Sequence, residues 1–337
     1  MAASLQFVVP TSDLHGGIRI PLELAEWLTD SGWTTRVVGP GPRPDWHQTA
    51  VPWFSCDIDG SEPVPRADVS IATFYTTIAP ALASRSSFTF HLCQGFEGLF
   101  SEYADISDAI DTAYKEPIPK LVVSHYLEAV LAENYSDINC HYIGEAVDPR
   151  IFFPLGFRTK AAPLRVGLVG TFSAQVKGVR EGLEGLRLAR EKGLDLEVHR
   201  VSAEPLQDEE ATLGVTDHFH HRLPTAKMPG FYADIDVLLF PSTAQEGFGL
   251  PVLEAMSCGV PVAHSDIPSL RDLPDGAAMR FPVGDAEAIA DAVLRLVDAP
   301  TRNRLRSEGL AAADAFRPHE LVTRFEEALR NEGCPMP

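Results

Sequence analysis

The sequence has few cysteines, no excess of basic residues and no long apolar run. Its five cysteines in 337 residues are an odd number, and no two stand at CxxC or zinc-type spacing. This predicts free thiols in a reducing compartment rather than a disulfide framework. Lys and Arg number 28 against 47 Asp and Glu, a formal charge of −19. Such a chain repels nucleic-acid phosphates, and since no local basic patch offsets this, we expect no nucleic-acid partner.

Membrane insertion and secretion are not expected either. No apolar run approaches the roughly 20 residues that cross a bilayer. Residues 1–10 carry no basic segment, and Pro10 ends their apolar stretch, so they predict a strand rather than a signal peptide. The sequence therefore predicts a cytoplasmic protein without a membrane span. With 45% hydrophobic and 22% charged residues it is globular, and its 337 residues suit about two domains.

Strands and helices alternate in the order typical of a parallel α/β sheet. Leu5–Val9 is a predicted strand, a polar loop follows to Gly17, and apolar residues then recur at helical spacing from Ile18. Thr34–Val38 resumes as a strand. The same order begins again at Leu164–Val169, so the chain is predicted to contain two α/β units of similar plan.

The Pro/Gly-containing segment 154–163 is the predicted connection between these units. We therefore expect residues 1–158 to form the first unit and residues 159–317 the second, followed by 318–337. The segment Val37–Pro65 is rich in Pro, Gly and Trp and is predicted to be irregular. Three further helices are predicted near the end of the chain, over Ala286–Asp298, Pro300–Ala315 and His319–Glu332.

The most informative segment, residues 234–262, has the order strand, glycine loop, helix, strand. Val237–Phe240 is a predicted buried strand, Pro251 stands where a helix begins, and Gly259 where it ends. A glycine-rich loop that enters a helix after a parallel strand favours an anion, because unpaired backbone N–H groups and the helix dipole point at it. The residues of this predicted loop are Gly247, Phe248, Gly249 and Leu250.

Two carboxylates flank this loop, Glu246 before it and Glu254 in the first turns of the helix. Because carboxylates repel phosphate, Glu246 and Glu254 are suited to bind hydroxyl groups on either side of a bound phosphate. A nucleotide-sugar has this arrangement, with a diphosphate between the hydroxyls of a ribose and those of a sugar. The alternative is a pair of solvated acids at a helix start. Lys177, in the loop Gly170–Gly178, is the candidate cation for the diphosphate, because loops at the carboxyl ends of parallel strands line the ligand crevice.

The run Glu-Gly-Phe-Gly-Leu-Pro-x-x-Glu-Ala-Met, the loop with Lys177-Gly178 and the Gly16-Gly17 pair resemble retaining GT-B glycosyltransferases of family four. The resemblance implies two facing Rossmann-like domains with the active site between them, and a final helix, within 318–337, that crosses back to the first domain. It implies hexosyl transfer from a UDP- or GDP-sugar to a hydroxyl of a saccharide or small-molecule acceptor, with retention, and without a metal or another cofactor. The sequence sets no oligomeric state.

Carried over by position, the resemblance gives roles to individual residues of the second domain. Glu254 would bind the ribose hydroxyls, and Glu246 the hydroxyls of the transferred sugar. Backbone from Phe248 to Leu250 would hold the diphosphate, and Lys177 would neutralise it. The leaving phosphate would take the proton of the acceptor, since no carboxylate is clearly placed as a nucleophile.

In the first domain, the resemblance assigns Gly16 and Gly17 to a close approach of backbone to the donor phosphate and the acceptor. His91, in a predicted strand, is similar to a histidine that meets the transferred sugar, and a structural histidine is the alternative. The family usually has an arginine where this sequence has Thr171. The diphosphate would then lose one of two cations, and Arg19 is the candidate replacement unless it faces solvent.

Two further residue patterns are weak indications of a metal site. His218, His220 and His221 lack an acidic or cysteine partner at ligand spacing, so strand or loop histidines are favoured over a metal site. Asp57-Ile-Asp59 matches an Asp-x-Asp metal motif but falls in the irregular segment. The alternative functions for the whole chain are a GT-B sugar phosphorylase or epimerase, and a catalytically silent nucleotide-sugar binding protein, for which Thr171 is the only argument.

Overall fold

The computed structural model describes residues 3–14, 16–156 and 163–337. The chain forms two compact units, one of Met1–Glu145 with Pro318–Pro337 and one of Ala146–Arg317. The predicted boundary between residues 158 and 159 lies outside the described residues. The division comes after Glu145, so the segment that precedes this boundary groups with the second unit.

The first unit contains a parallel sheet of seven strands in the order β3-β2-β1-β4-β5-β6-β7. Helices alternate with most of these strands, as the sequence predicts. The elements are β1 (Ser4–Val8), α1 (Gly16–Asp30), β2 (Thr34–Gly39), β3 (Trp53–Ser55), β4 (Val69–Ala72), α2 (Tyr75–Ala83), β5 (Phe88–Cys93), α3 (Ser107–Tyr114), β6 (Lys120–Val122), α4 (His125–Asn134) and β7 (Cys140–Tyr142).

Helix α1 begins two residues before its first predicted apolar position. Gly16 and Gly17 therefore lie in the first turn of the helix and not in the preceding loop. Pro21 lies inside α1 and has no N–H to donate to the carbonyl of Gly17, four residues earlier. The side chain of Gln94 donates to that carbonyl instead, over 2.9 Å. This bond ties the start of α1 to the segment that follows β5.

The segment predicted to be irregular, Val37–Pro65, contains one short strand. β3 pairs in parallel with β2 at the edge of the sheet, through the register Val37↔Trp53. The backbone of Trp53 and Phe54 thus extends the sheet although the Pro and Gly residues around it interrupt any longer strand. Phe54, on this edge strand, remains 50% exposed.

The second unit has a parallel sheet of six strands in the order β10-β9-β8-β11-β12-β13. β8 and β11 have the predicted bounds. The sequence predicts the strand after α5 over Leu194–Val198, whereas β9 begins two residues later, at Leu196. The elements are β8 (Leu164–Val169), α5 (Val179–Glu191), β9 (Leu196–Ser202), α6 (Asp208–Thr212), β10 (His218–His221), α7 (Met228–Asp234), β11 (Val237–Phe240), α8 (Leu250–Ser257), β12 (Val262–Ser265), β13 (Met279–Phe281), α9 (Ala286–Arg295) and α10 (Ala299–Ala313).

The core of the second unit lies between one face of this sheet and the helices α5 and α9. Leu183 of α5 and Val293 of α9 are both fully buried there, together with Val166 and Val198 of the sheet. A Cβ at Gly185 would overlap Ile289, so glycine is what lets the two helices pack this closely. This core fixes β8 and β9, and with them the loops that leave their carboxyl ends.

The last helix, α11 (Pro318–Asn331), belongs to the first unit. It packs against α1 and β7. Phe325 of α11 is fully buried, with its ring centroid 6.4 Å from that of Phe7, and Glu326 accepts a hydrogen bond from the indole N–H of Trp33 at 3.1 Å. Among the residues that the structure describes, no helix combines the length and apolar character that a membrane span requires.

Candidate functional site

Two loops leave the carboxyl edge of the second sheet side by side. β8 and β11 are neighbouring parallel strands, so the loop Gly170–Gly178 after β8 lies next to the loop 241–249 after β11. The backbone N–H of Thr243 donates to the carbonyl of Val176 at 2.8 Å and joins the two loops. Ligand sites of open α/β sheets form at this edge, where such loops meet.

The two loops bring Lys177 and Glu246 together. The Nζ atom of Lys177 lies 2.8 Å and 3.0 Å from the two carboxylate oxygens of Glu246. The Lys177 side chain is 33% exposed and that of Glu246 only 12%. An ion pair with this exposure adds little to stability. What it does is hold a cation and a carboxylate at fixed positions beside each other, 69 residues apart in sequence.

Glycine is required where these loops turn. Gly178 has φ +57°, and a Cβ there would overlap the carbonyl oxygen of Pro241. Gly249 has φ +115°, and its Cβ would lie 3.0 Å from the ring of Phe240. Both positions combine a left-handed conformation with a close approach, which only glycine tolerates without strain. Any side chain there would displace the loop that carries Lys177 or the start of α8.

A buried arginine holds the start of the Lys177 loop. Arg200 of β9 is fully buried, and its guanidinium donates to the carbonyls of Leu168 at 2.9 Å and Gly170 at 3.0 Å. Its Nε donates to Glu210 of α6 at 2.7 Å. Burial lowers the pKa of Arg200, and Glu210 opposes this by favouring the charged form. Arg200 thus fixes the backbone at the point where β8 ends.

The sequence-based interpretation missed Arg200, although a signal was present. Arg200 stands two residues after the predicted strand Leu194–Val198, between His199 and Val201, and a charged side chain in a strand that continues to Ser202 is rarely buried without a partner. The partner, Glu210, lies in the next helix, and the sequence does not show which of several nearby acids reaches it. The contact with Gly170 is visible only in the fold.

Helix α8 begins at the predicted glycine loop. Gly249 precedes its first residue, Leu250, and Pro251 occupies the first turn as expected. Phe248 is 3% exposed, and its ring centroid lies 5.6 Å from that of Phe316, so this side chain anchors the loop. The positive end of the α8 dipole therefore lies at the carboxyl edge of the sheet, beside Gly247, where it favours an anion.

Glu254 lies one turn into α8 and is 2% exposed. The hydroxyl of Tyr232 donates to its Oε2 atom at 2.7 Å, which fixes the orientation of the carboxylate. A buried carboxylate of this kind is not a solvated acid at a helix start. The structure therefore excludes a solvated acid at the helix start as the interpretation of Glu254. Glu246, in the preceding loop, forms the ion pair with Lys177.

The candidate site residues of the first unit, His91 and Gly17, lie in a buried strand and in the first turn of a helix. His91 is 1% exposed, its ring centroid lies 5.0 Å from that of Tyr114, and its Nδ1 atom lies 3.3 Å from the sulfur of Cys93. Burial, with the charge of Lys120, lowers the pKa of His91 well below its ordinary value. These contacts favour the structural alternative for His91. Gly17 lies in the first turn of α1, bonded to Gln94.

Thr171 follows Gly170 and is partly buried. Arg19 does not simply face solvent. Its side chain is 12% exposed, and its Nε atom lies 3.4 Å from a carboxylate oxygen of Glu23, one turn along α1.

The Asp57-Ile-Asp59 match to a metal motif has a structural explanation at Asp59. The carboxylate of Asp59 accepts a hydrogen bond from the backbone N–H of Ser61 at 2.8 Å, so it stabilises a turn.

Residues 163–299 match the family model described as glycosyl transferases group 1. They contain both loops, Lys177, Glu246 and Glu254. The O-antigen chain mannosyltransferase B of Escherichia coli is 40% identical over 109 residues, which cover 32% of this chain and 28% of that protein.

A phosphatidyl-myo-inositol mannosyltransferase of Propionibacterium freudenreichii is 28% identical over 193 residues, or 55% of this chain and 49% of that protein. The match thus spans less than half the length of either relative. The sucrose-phosphate synthase of Thermosynechococcus elongatus matches the fold with a TM-score of 0.78 at 17% identity, over 98% of this chain and 99% of that one. Anabaena Alr3699/HepE, solved with UDP and glucose, gives 0.73 at 14% identity, over 97% and 99%. The expected GT-B fold, with two Rossmann-like parallel sheets, is confirmed.

Proposed function

We propose that this chain is a glycosyltransferase that moves a sugar from a nucleotide-diphosphate sugar to an acceptor hydroxyl. The observation that carries the proposal is the ion pair of Lys177 and Glu246 beside the N-terminus of α8. It joins a cation for phosphate, a carboxylate for hydroxyls and a helix dipole at one sheet edge. The family match over residues 163–299 and the mannosyltransferase relatives support the reaction class.

In this proposal the donor occupies the carboxyl edge of the second sheet. The N-terminal backbone of α8 binds the diphosphate, and Glu254, oriented by Tyr232, accepts hydrogen bonds from the ribose hydroxyls. A UDP or GDP nucleotide fits these contacts, which read the diphosphate and the ribose and not the base. A structural neighbour solved with UDP-glucose supports a nucleotide-sugar as the donor.

Lys177 changes partners when the donor binds. Its ammonium turns from Glu246 to the diphosphate, and Glu246 is then available to the hydroxyls of the sugar. As the bond from the anomeric carbon to phosphate breaks, negative charge grows on the leaving oxygen. Lys177 and the α8 dipole stabilise this charge in the transition state, which is where stabilisation accelerates the reaction.

We propose that the transfer retains the anomeric configuration. The acceptor oxygen bonds to the anomeric carbon on the face that the phosphate leaves, and its proton passes to the leaving phosphate oxygen. Glu246 is not the nucleophile in this scheme, because its carboxylate accepts hydrogen bonds from the hydroxyls of the transferred sugar. No metal is needed in this scheme, since Lys177 and the helix dipole supply the positive charge.

The test is a screen of UDP- and GDP-sugars, each with and without saccharide acceptors, followed by mass spectrometry and by NMR of the anomeric proton. A glycosylated acceptor with the anomeric configuration of the donor, formed equally in excess EDTA, supports the proposal. Release of sugar 1-phosphate that depends on inorganic phosphate would support the phosphorylase instead. Tight donor binding without any product would support the silent binding protein.

A further inference from the structure

The second sheet brings together three side chains that the proposed reaction does not use. His199 lies in the middle of β9, Glu197 two residues before it on the same face, and His218 at the start of the edge strand β10. In the parallel register His218 stands opposite His199, and their ring centroids are 4.4 Å apart. The three residues are here called the His199 cluster.

The ligating atoms of the His199 cluster converge. One ring nitrogen of each histidine and one oxygen of Glu197 all lie within 4.8 Å of one another. The Nε2 atom of His199 is 3.7 Å from Oε2 of Glu197. Neighbouring ligand atoms around a tetrahedral zinc ion, with bonds of about 2.0–2.1 Å, are about 3.3 Å apart. Small rotations of the exposed His218 and the half-buried Glu197 close the remaining gap.

His199 supplies an independent sign of a ligand. It is only 9% exposed, and its Nε2 atom is buried and has no hydrogen-bond partner among the described residues. A buried polar atom without a partner is rare, and it is explained when an ion binds there.

The surrounding charges favour a cation. Arg165 lies beside Glu197 in the register of β8 and β9 and would by itself repel a metal ion. Two carboxylates compensate it, Asp234 at 3.8 Å and Asp236 at 3.6 Å. The carboxylates of Asp234, Asp236 and Glu197 outnumber the single positive charge of Arg165, so the net charge of these four groups is negative. His220 is on the same face, but it packs against Phe231 at 5.8 Å between ring centroids.

We infer that Glu197, His199 and His218 bind one divalent transition-metal ion, with Zn²⁺ as the expected occupant and water as its fourth ligand. Two imidazoles and a carboxylate are a set that zinc accepts. The ion would bridge β9 to the edge strand β10 and stabilise their pairing. Because the cluster lies on the two strands at one side of the sheet, away from the β8–β11 loops, the site is separate from the proposed reaction.

The sequence alone favoured strand or loop histidines over a metal site here, because His218, His220 and His221 have no acidic or cysteine partner at ligand spacing. The sheet supplies partners that sequence spacing does not show. Glu197 and His199 come from the neighbouring strand, and the parallel register places them beside His218. The local His-x-His-His pattern is thus only one half of the proposed site.

The test titrates the metal-stripped full chain with Co²⁺ and Zn²⁺. We expect one equivalent of Co²⁺ to give the visible absorption of a four-coordinate site with nitrogen and oxygen ligands, and Zn²⁺ to displace it. His218→Ala, a change at an exposed position, should weaken Zn²⁺ binding at least tenfold. The matched control is His221→Ala, on the same strand but the opposite face, which should bind Zn²⁺ as the unaltered chain does.

A second measurement is thermal unfolding with and without one equivalent of Zn²⁺. The unaltered chain and His221→Ala should gain stability, and His218→Ala should not, because a ligand stabilises only the state that binds it. Equal Zn²⁺ affinity of the unaltered chain and His218→Ala would overturn the inference. A Co²⁺ spectrum with thiolate charge-transfer bands would also overturn it, because the ion would then be bound by cysteine.

Discussion

Replacement of Arg200 tests how the fold supports the proposed donor site. Arg200 and Glu210 form a buried ion pair, with side chains 0% and 1% exposed. Arg200→Met leaves the Glu210 carboxylate buried without its partner, and breaking a buried pair in this way costs about 3–5 kcal/mol. The variant should therefore lose much of the stability of the second unit, since whole domains are stable by only about 5–15 kcal/mol.

The double variant Arg200→Met with Glu210→Leu separates stability from function. Replacement of both partners by apolar side chains removes the unpaired charge, so most of the lost stability should return. The carbonyl of Gly170 still lacks the donor that Arg200 supplies at 3.0 Å. The Lys177 loop should then be less well fixed, and donor affinity should stay about tenfold, or about 1.4 kcal/mol, below that of the unaltered chain.

The positions of the tryptophans allow the unfolding of the first unit to be followed separately. The four tryptophans, Trp27, Trp33, Trp46 and Trp53, all belong to the first unit. Tryptophan fluorescence therefore reports urea unfolding of the first unit, whereas far-UV circular dichroism reports both. In Arg200→Met the dichroism should change at lower urea than the fluorescence. Coincident, unshifted transitions, or a double variant with full donor affinity, would refute the reasoning.

Further predictions concern charge in both units. Lys177→Ala should lower kcat by about 10²–10³, or about 2.7–4 kcal/mol, because one charge-stabilising donor is lost, and an unchanged kcat would contradict its role. Thr171→Arg should tighten donor binding in calorimetry by adding a cation beside Gly170; unchanged affinity would mean that one cation suffices. Burial raises the pKa of Glu97 from 4.5 to about 7, so stability of the first unit should fall as pH rises across that interval. Glu97→Gln should flatten this slope in fluorescence-monitored unfolding, and an unchanged slope would assign it to another group.

The sequence predicts most of the second unit because its signals are local. Apolar runs mark β8 and β11, and Pro251 and Gly259 mark the ends of α8, so these elements need no information from distant residues. The loops after two parallel strands are expected at the same sheet edge, and this predicts that Lys177, Glu246 and Glu254 lie near one another. What the sequence does not show is that Lys177 and Glu246 form an ion pair, because the contact depends on β8 and β11 being neighbours.

What the sequence does not show depends on contact between distant segments of the chain. His91 is buried beside Tyr114, 23 positions later, which favours the structural alternative that the sequence leaves open. Gly17 lies in α1 and not in a loop, because Gln94 satisfies the carbonyl that Pro21 leaves without a donor. The partner of His218 comes from the neighbouring strand. Spacing along the chain carries none of this information.

The most direct test of the central claim is calorimetry of nucleoside diphosphates against the matching nucleosides. The unaltered chain should bind the diphosphate much more tightly than the nucleoside, because Lys177 and the N-terminus of α8 act on the phosphates. Lys177→Ala should lose a large part of that difference, and Lys227→Ala, at an exposed lysine of the same unit, should keep it. Equal affinity of the unaltered chain and Lys177→Ala for the diphosphate would contradict the account.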